Sequence, residues 1–161
     1  MTRSSHHRAW QACLAMLLAW LAWPAFASDL KVETWLQDAS GVSDAPIRVR
    51  AWLPPDYAAT QARYPVVYAH DGQDMEAVGL EDTLRTLYAA GAIQRVIVVA
   101  IDMPSDRMAA YGVFDRASGS TRLAATRYGP VGARAEAYAR WLVETLVPAV
   151  DARFRTLARP E

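Results

Sequence analysis

Apolar positions fall into short runs with two distinct periods along the 161 residues. From Leu30 to Gln37 they alternate, with Leu30, Val32, Thr34 and Leu36 on one face and Lys31, Glu33, Trp35 and Gln37 on the other, which predicts a half-buried strand. Asp38 to Pro46 is rich in Ser, Gly, Asp and Pro and reads as a turn. Ile47, Val49, Ala51 and Leu53 alternate with Arg48, Arg50 and Trp52, a second strand expected to pair antiparallel with the first and ended by Pro54-Pro55. Val66 to Ala69 and Val96 to Ile101 are continuous apolar runs, as in strands of a parallel sheet buried on both faces. Between them Leu80, Leu84, Leu87 and Tyr88 share one helical face, Glu81 stands four before Arg85, and Gly91 is a natural stop. Strand, helix and strand in that order predict one right-handed βαβ crossover.

Asp102 to Gly132 is long, polar and aperiodic, and a loop of that length in a compact domain is usually functional. Ala133 to Phe154 returns to helix, with Tyr138, Leu142, Leu146, Val150 and Phe154 spaced by four and Trp141 widening the stripe. Pro148 has no donor for the carbonyl of Glu144 and disfavours helix at Val147, so a kink or break is expected there.

The first residues follow another logic. Arg3, His6, His7 and Arg8 precede an apolar run from Ala9 to Trp23, and Ala25-Phe26-Ala27 is a small-x-small cleavage site. Residues 1–27 therefore read as a signal peptide and 28–161 as the exported part, periplasmic or secreted, touching a membrane only during export. A spanning helix needs about 20 apolar residues, more than this run offers before Pro24. Cys13 lies inside the run, the wrong place for a lipid-attachment cysteine. Cleavage after Ala27 leaves no cysteine, hence no disulfide, and a single histidine, His70. Net charge is zero and about half of the residues are apolar, so disorder and nucleic-acid binding are not indicated.

The chemistry concentrates where the Val66–Ala69 strand runs into His70-Asp71-Gly72-Gln73-Asp74. Ligands of open α/β sheets bind at the C-terminal ends of strands. Gly72 permits a tight turn, and an N–H there can face a developing negative charge. The plainer reading is a βα turn with Asp71 capping the next helix. His70 reads as a turn residue rather than a base. A divalent-metal site from Asp71, Asp74, Glu76 and Asp102 is conceivable, but nothing fixes a ligand geometry, so no metal and no cofactor are expected.

Leu53-Pro54-Pro55-Asp56-Tyr57, Tyr64-Pro65-Val66-Val67-Tyr68, Asp71-Gly72-Gln73, Asp106-Arg107 with Tyr111, and Tyr138 through Thr156 occur here in a familiar order. From Ile47 to Arg159 the chain resembles the N-terminal half of the esterase D-like (Putative esterase) family of α/β-hydrolases, which includes S-formylglutathione hydrolases, feruloyl esterases, siderophore esterases and mycolyltransferases. The resemblance implies a partial α/β-hydrolase fold, a mostly parallel sheet with an antiparallel N-terminal strand pair and without the C-terminal strands. It implies a small-molecule ester or thioester substrate, and assigns the Gln73 N–H to one half of an oxyanion hole. The family's R-x-x-E-Y pattern stands here as Arg107-Met108-Ala109-Ala110-Tyr111, without its glutamate, and Arg107 and Tyr111 become candidate substrate-loop residues, with a structural tie across the loop as the alternative for Arg107.

Such enzymes carry their nucleophile in G-x-S-x-G, followed by an acid and then a histidine. No G-x-S-x-G occurs in these 161 residues; Ser118-Gly119-Ser120 has no strand before it, and no histidine follows His70. A serine needs a base in reach to act near neutral pH. The expectation is therefore an esterase segment without its catalytic serine and histidine, inactive alone, its Tyr64–Ala69 strand left at a sheet edge and the chain poorly soluble or unstable. The competing reading is a non-catalytic periplasmic α/β binding module that uses the 102–132 loop as its contact surface.

Overall fold

The computed structural model describes residues 29–103, 107–111 and 132–157. Residues 1–27, read above as a signal peptide, and most of the 102–132 loop lie outside them. The described elements are strands β1 (Lys31–Gln37), β2 (Ile47–Leu53), β3 (Val66–Ala69) and β4 (Ile97–Ile101), with helices α1 (Leu80–Ala89), α2 (Arg107–Tyr111), α3 (Ala135–Trp141) and α4 (Val147–Arg153). A 3-10 turn, Gly72–Asp74, follows β3, and a π-helical turn, Leu142–Leu146, joins α3 to α4.

The strands form one sheet in the order β1-β2-β4-β3. β1 and β2 pair antiparallel from Lys31↔Leu53 to Gln37↔Ile47, as their alternation predicts. β3, α1 and β4 make the expected βαβ unit, with β3 and β4 parallel neighbours from Val66↔Ile97 to Ala69↔Ala100. The mostly parallel sheet is not found. β2 lies antiparallel against β4, from Val49↔Ile101 to Trp52↔Val98, so the sheet is mixed and mainly antiparallel. A parallel pair needs a crossover connection, and the described strands contain one such unit.

Period-2 alternation divides the core between the two faces of the sheet. Ile47, Val49, Ala51 and Leu53 of β2, with Ile97, Val99 and Ile101 of β4, bury one face against Tyr138, Trp141, Leu146, Val150 and Phe154. Trp52, Val98 and Ala100 bury the other against Leu30, Leu84 and Tyr88. The four-residue spacing predicted for both helical stripes is therefore the spacing of core positions.

β1 buries the face opposite to its aliphatic one. Val32 and Leu36 are 38% and 69% exposed. Trp35 instead reaches the core beside Phe154, with ring centroids 5.9 Å apart, and the Arg153 guanidinium lies 4.9 Å from its ring centre. Arg153 also bonds Glu33 on the same face at 3.3 Å. One large aromatic surface and an ion pair outweigh two aliphatic side chains at this sheet edge.

Pro148 does not break the helix. The N–H of Val147 bonds the carbonyl of Leu142 across one wide turn, so the chain passes the proline through a π turn and continues as α4 with Pro148 in its first turn. Trp141 donates from Nε1 to the carbonyl of Asp38 at 2.7 Å, which fastens α3 to the β1–β2 turn.

β3 is at the sheet edge, and Val67 on it is 48% exposed. Among the described residues, only the approach to β3 is covered: Tyr64 N–H bonds the carbonyl of Arg155, and Leu157 N–H bonds the carbonyl of Tyr64, both at 2.9 Å. An exposed apolar position on an unpaired edge invites association with another chain. Val67→Lys is expected to raise the monomeric fraction in size-exclusion chromatography and leave the far-UV circular dichroism unchanged. An unchanged monomeric fraction would show that this edge does not drive association.

Candidate active site

The β3 turn is built by Asp71 and Gly72, in roles different from those the sequence suggests. Asp71, not the glycine, takes the left-handed conformation, with φ 56° and ψ 46°, a region that Asp visits more readily than most residues. Gly72 is required by space. A Cβ there would stand 2.8 Å from the Asp102 nitrogen, the Asp102 Oδ1 and the Ile101 carbonyl carbon, all at the end of β4. The turn thus lies directly against the end of the neighbouring strand, and its residues at 72–74 form the 3-10 helix.

Four side chains hold it there. Arg50, reaching from β2, donates through Nη2 to the carbonyl of Gly72 and to Asp102 Oδ1, the latter at 3.3 Å. Arg48 takes the other oxygen of Asp102, at 2.6 Å from Nε. Gln73 accepts from the Met103 N–H at 2.9 Å through Oε1 and donates through Nε2 to Asp74 at 3.2 Å. Arg107 Nη2 lies 2.7 Å from Asp71 Oδ2. Asp71 makes no side-chain cap to the 3-10 turn, so its carboxylate serves Arg107 instead of the helix end. Among the described residues, nothing accepts a hydrogen bond from the Gln73 backbone N–H.

Beside the turn is a cavity of about 480 Å³ lined by His70, Asp71, Arg107, Tyr111, Tyr138 and Leu142, among others. His70 Nδ1 lies 2.9 Å from the Tyr138 hydroxyl. The rings of His70, Tyr111 and Tyr138 stand mutually 5.2–5.7 Å apart at tilted or edge-on angles. Burial is the main cause that raises the Tyr138 phenol above its ordinary range, with Tyr111 adding to it, and burial raises Tyr111 as well. Tyr138 therefore keeps its proton and shares its hydroxyl in a hydrogen bond with His70 Nδ1.

The predicted residues are brought together in part. Asp71, Arg107 and Tyr111 meet around the cavity, joined by the ion pair and by the Arg107 guanidinium 5.7 Å from the Tyr111 ring centre. α2 gives part of the supposed aperiodic loop a helical form. Gln73 does not line this cavity; it is tied to Met103, which lines a second cleft with Arg48, Asp102 and Arg134. Asp71 is taken by Arg107 and Asp102 by Arg48 and Arg50, and among the described residues no three metal-ligating side chains converge. Arg50 and Tyr138 were missed as site residues. Both fit the periodic pattern of their elements, so nothing in the spacing sets them apart.

The sequence profile of the Putative esterase family matches residues 40–160. The chain belongs to that family. Solved structures agree in fold. An IroE-like serine hydrolase from Shewanella oneidensis superimposes with a TM-score of 0.61 at 24% identity, covering 78% of this chain and 40% of its own. A siderophore hydrolase, EstB, from Aspergillus nidulans gives 0.53 at 23% identity, over 84% of this chain and 48% of that one. A ferulic acid esterase gives 0.55 at 17%, over 82% and 46%. The esterase-family chain thus spans less than half the length of each of these structures. No curated protein matches it.

Two expectations follow from the site. Gly72→Ala drives a Cβ into backbone, which cannot swing aside, and is expected to cost about 1–3 kcal/mol as an overpacking substitution; urea denaturation measures it. The second is a pH dependence. Unfolded Tyr138 ionises near its ordinary value of 10.0, while the folded phenol stays protonated above it. The folded chain therefore holds more protons at high pH, and its stability is complete below about pH 10 and falls as the pH rises further. Tyr138→Phe should flatten that alkaline fall in urea midpoints taken from about pH 8 to about pH 11. An unchanged slope would place the alkaline sensitivity elsewhere.

Proposed function

We propose that this chain is the oxyanion-side portion of an exported serine hydrolase that cleaves small-molecule carboxylic esters or thioesters. The observation that carries the reading is the Gln73 N–H: it has no acceptor among the described residues and belongs to a turn held from three sides. A preorganised donor of this kind stabilises the oxyanion of a tetrahedral intermediate without reorganising during the reaction. Gln73 is assigned that donor. Asp71 and Gly72 shape the turn, and Arg107 and Tyr111 stand at the wall where the substrate's remaining groups would lie. The nucleophile and its base are assigned to residues outside these 161, since no G-x-S-x-G occurs among them.

Family membership supports ester chemistry, and the basic start, apolar run and Ala25-Phe26-Ala27 site support export with cleavage after Ala27. No cofactor has a part in this mechanism. Residues 28–161 are read as one portion of a single hydrolase domain.

The test uses the chain expressed with its downstream coding sequence, assayed with a p-nitrophenyl ester and a fluorophosphonate probe. The extended product should hydrolyse the ester and label at one serine, while the 161-residue chain does neither. Gln73→Pro removes the N–H and should lower kcat by about 10²–10³-fold, the effect of deleting one oxyanion donor. Gln73→Ala keeps the N–H and should lose far less. Equal losses would move the role to the Gln73 side chain. A downstream sequence without a nucleophile elbow would favour a binding module instead.

A further inference from the structure

The structure assigns to Arg50 the positioning and polarisation of the Gln73 N–H, acting through the carbonyl of Gly72. This inference rests on the proposed role of Gln73. The Gly72 carbonyl and the Gln73 N–H belong to one peptide unit, and no described peptide bond is cis. In a trans peptide the C=O and N–H bonds point in opposite directions within one rigid plane. Whatever grips the oxygen therefore sets the direction in which the hydrogen points. A cation at the oxygen also draws electron density across the conjugated unit and leaves the N–H a stronger donor, as in other polarised hydrogen-bond chains.

Arg50 meets both conditions. Its Nη2 donates to the Gly72 carbonyl, a charge-assisted bond added to the neutral one that the same oxygen accepts from the Met75 N–H at 3.2 Å. Its own position is fixed by Asp102 Oδ1 at 3.3 Å and by the Trp52 ring, whose centre is 5.5 Å from the guanidinium carbon. The Arg50 side chain retains only 18% of its exposure, so water does little to screen the contact. Register explains the reach. Arg50 is paired with Ala100, two residues before Asp102, which brings its side chain beside the end of β4 and the Gly72 turn packed against it. Arg50 touches neither the proposed oxyanion nor the substrate and is a positioning residue, not a catalytic one.

The experiment compares Arg50→Met, Arg50→Lys and Gln73→Pro in the chain expressed with its downstream coding sequence. All three are followed by kcat and KM, and the two Arg50 variants also by the amide ¹⁵N shift of Gln73, which responds to hydrogen bonding at the preceding carbonyl. Arg50→Met should lower kcat by about ten- to hundredfold, less than loss of the donor itself, with KM little changed. Its Gln73 ¹⁵N resonance should move upfield. Arg50→Lys keeps a cation able to reach the carbonyl and should recover most of the kcat and of the shift. A variant in which Met abolishes folding leaves Lys to decide: a Lys variant that folds with unchanged KM and a Gln73 resonance between wild type and the upfield limit set by model amides supports the assignment, and a resonance at that upfield limit with wild-type kcat overturns it. Gln73→Pro inactive while Arg50→Met turns over at the wild-type rate overturns the role of Arg50 alone. Both variants at the wild-type rate overturn the oxyanion reading beneath it.

Discussion

Gly72 packs against the end of β4 so closely that no side chain fits between them, and the arrangement of the site depends on that contact. It places the turn after β3 beside Asp102, and so within reach of the arginines on β2. Arg50 then bridges the turn carbonyl and the strand-end carboxylate, joining three neighbouring strands of the sheet at one point. An ion pair with little exposed surface is costly when one partner is missing; here Asp102 has two arginine partners, Arg48 and Arg50, while Arg50 Nε is buried without a partner among the described residues. The strain of a left-handed Asp71 is held in place by the same surroundings, together with its pair to Arg107.

The two faces of the sheet divide the work. The face carrying Leu84 and Tyr88 of α1 is mainly apolar packing, with Arg50 stacked on its Trp52 at the edge nearest the turn. The other face extends from the core, through Trp141 and Tyr138, to the aromatic cavity beside the turn without interruption. Tyr138 belongs to both: its ring is in the core, and its hydroxyl meets His70. The π turn at Leu142–Leu146 keeps the stripe of α3 and α4 aimed at the sheet despite Pro148, and Leu146 within it is fully buried. A widened turn of this kind sacrifices some helix geometry but preserves burial, and burial contributes more to stability.

Much of the framework was legible in advance because it follows from local rules. Alternation located β2, two apolar runs located β3 and β4, and four-residue spacing located both helical faces. The site was legible only as a place. His70 to Asp74 stands at a strand's C-terminal end in any α/β reading, and Asp71, Arg107 and Tyr111 do gather there. Their partners were not legible: Asp102 was open to a metal-ligand reading, and Arg50 was one polar residue among the alternations of a strand.

Taken by itself, the amino-acid order determined the four strands and the two helical stripes, the pairing of β1 with β2, the βαβ unit and the turn that carries Gln73, since each depends on periodicity or on residues close in the chain. Tertiary structure decided which face of β1 is buried, that β2 runs antiparallel beside β4, that Gly72 is there for close approach and Asp71 for the left-handed bend, and that Arg50 grips the turn. These are contacts between residues some 20 to 120 positions apart, such as Arg50 with Gly72 and Arg153 with Glu33. Their energies come from packing and charge at a meeting point that exists only once the sheet has formed.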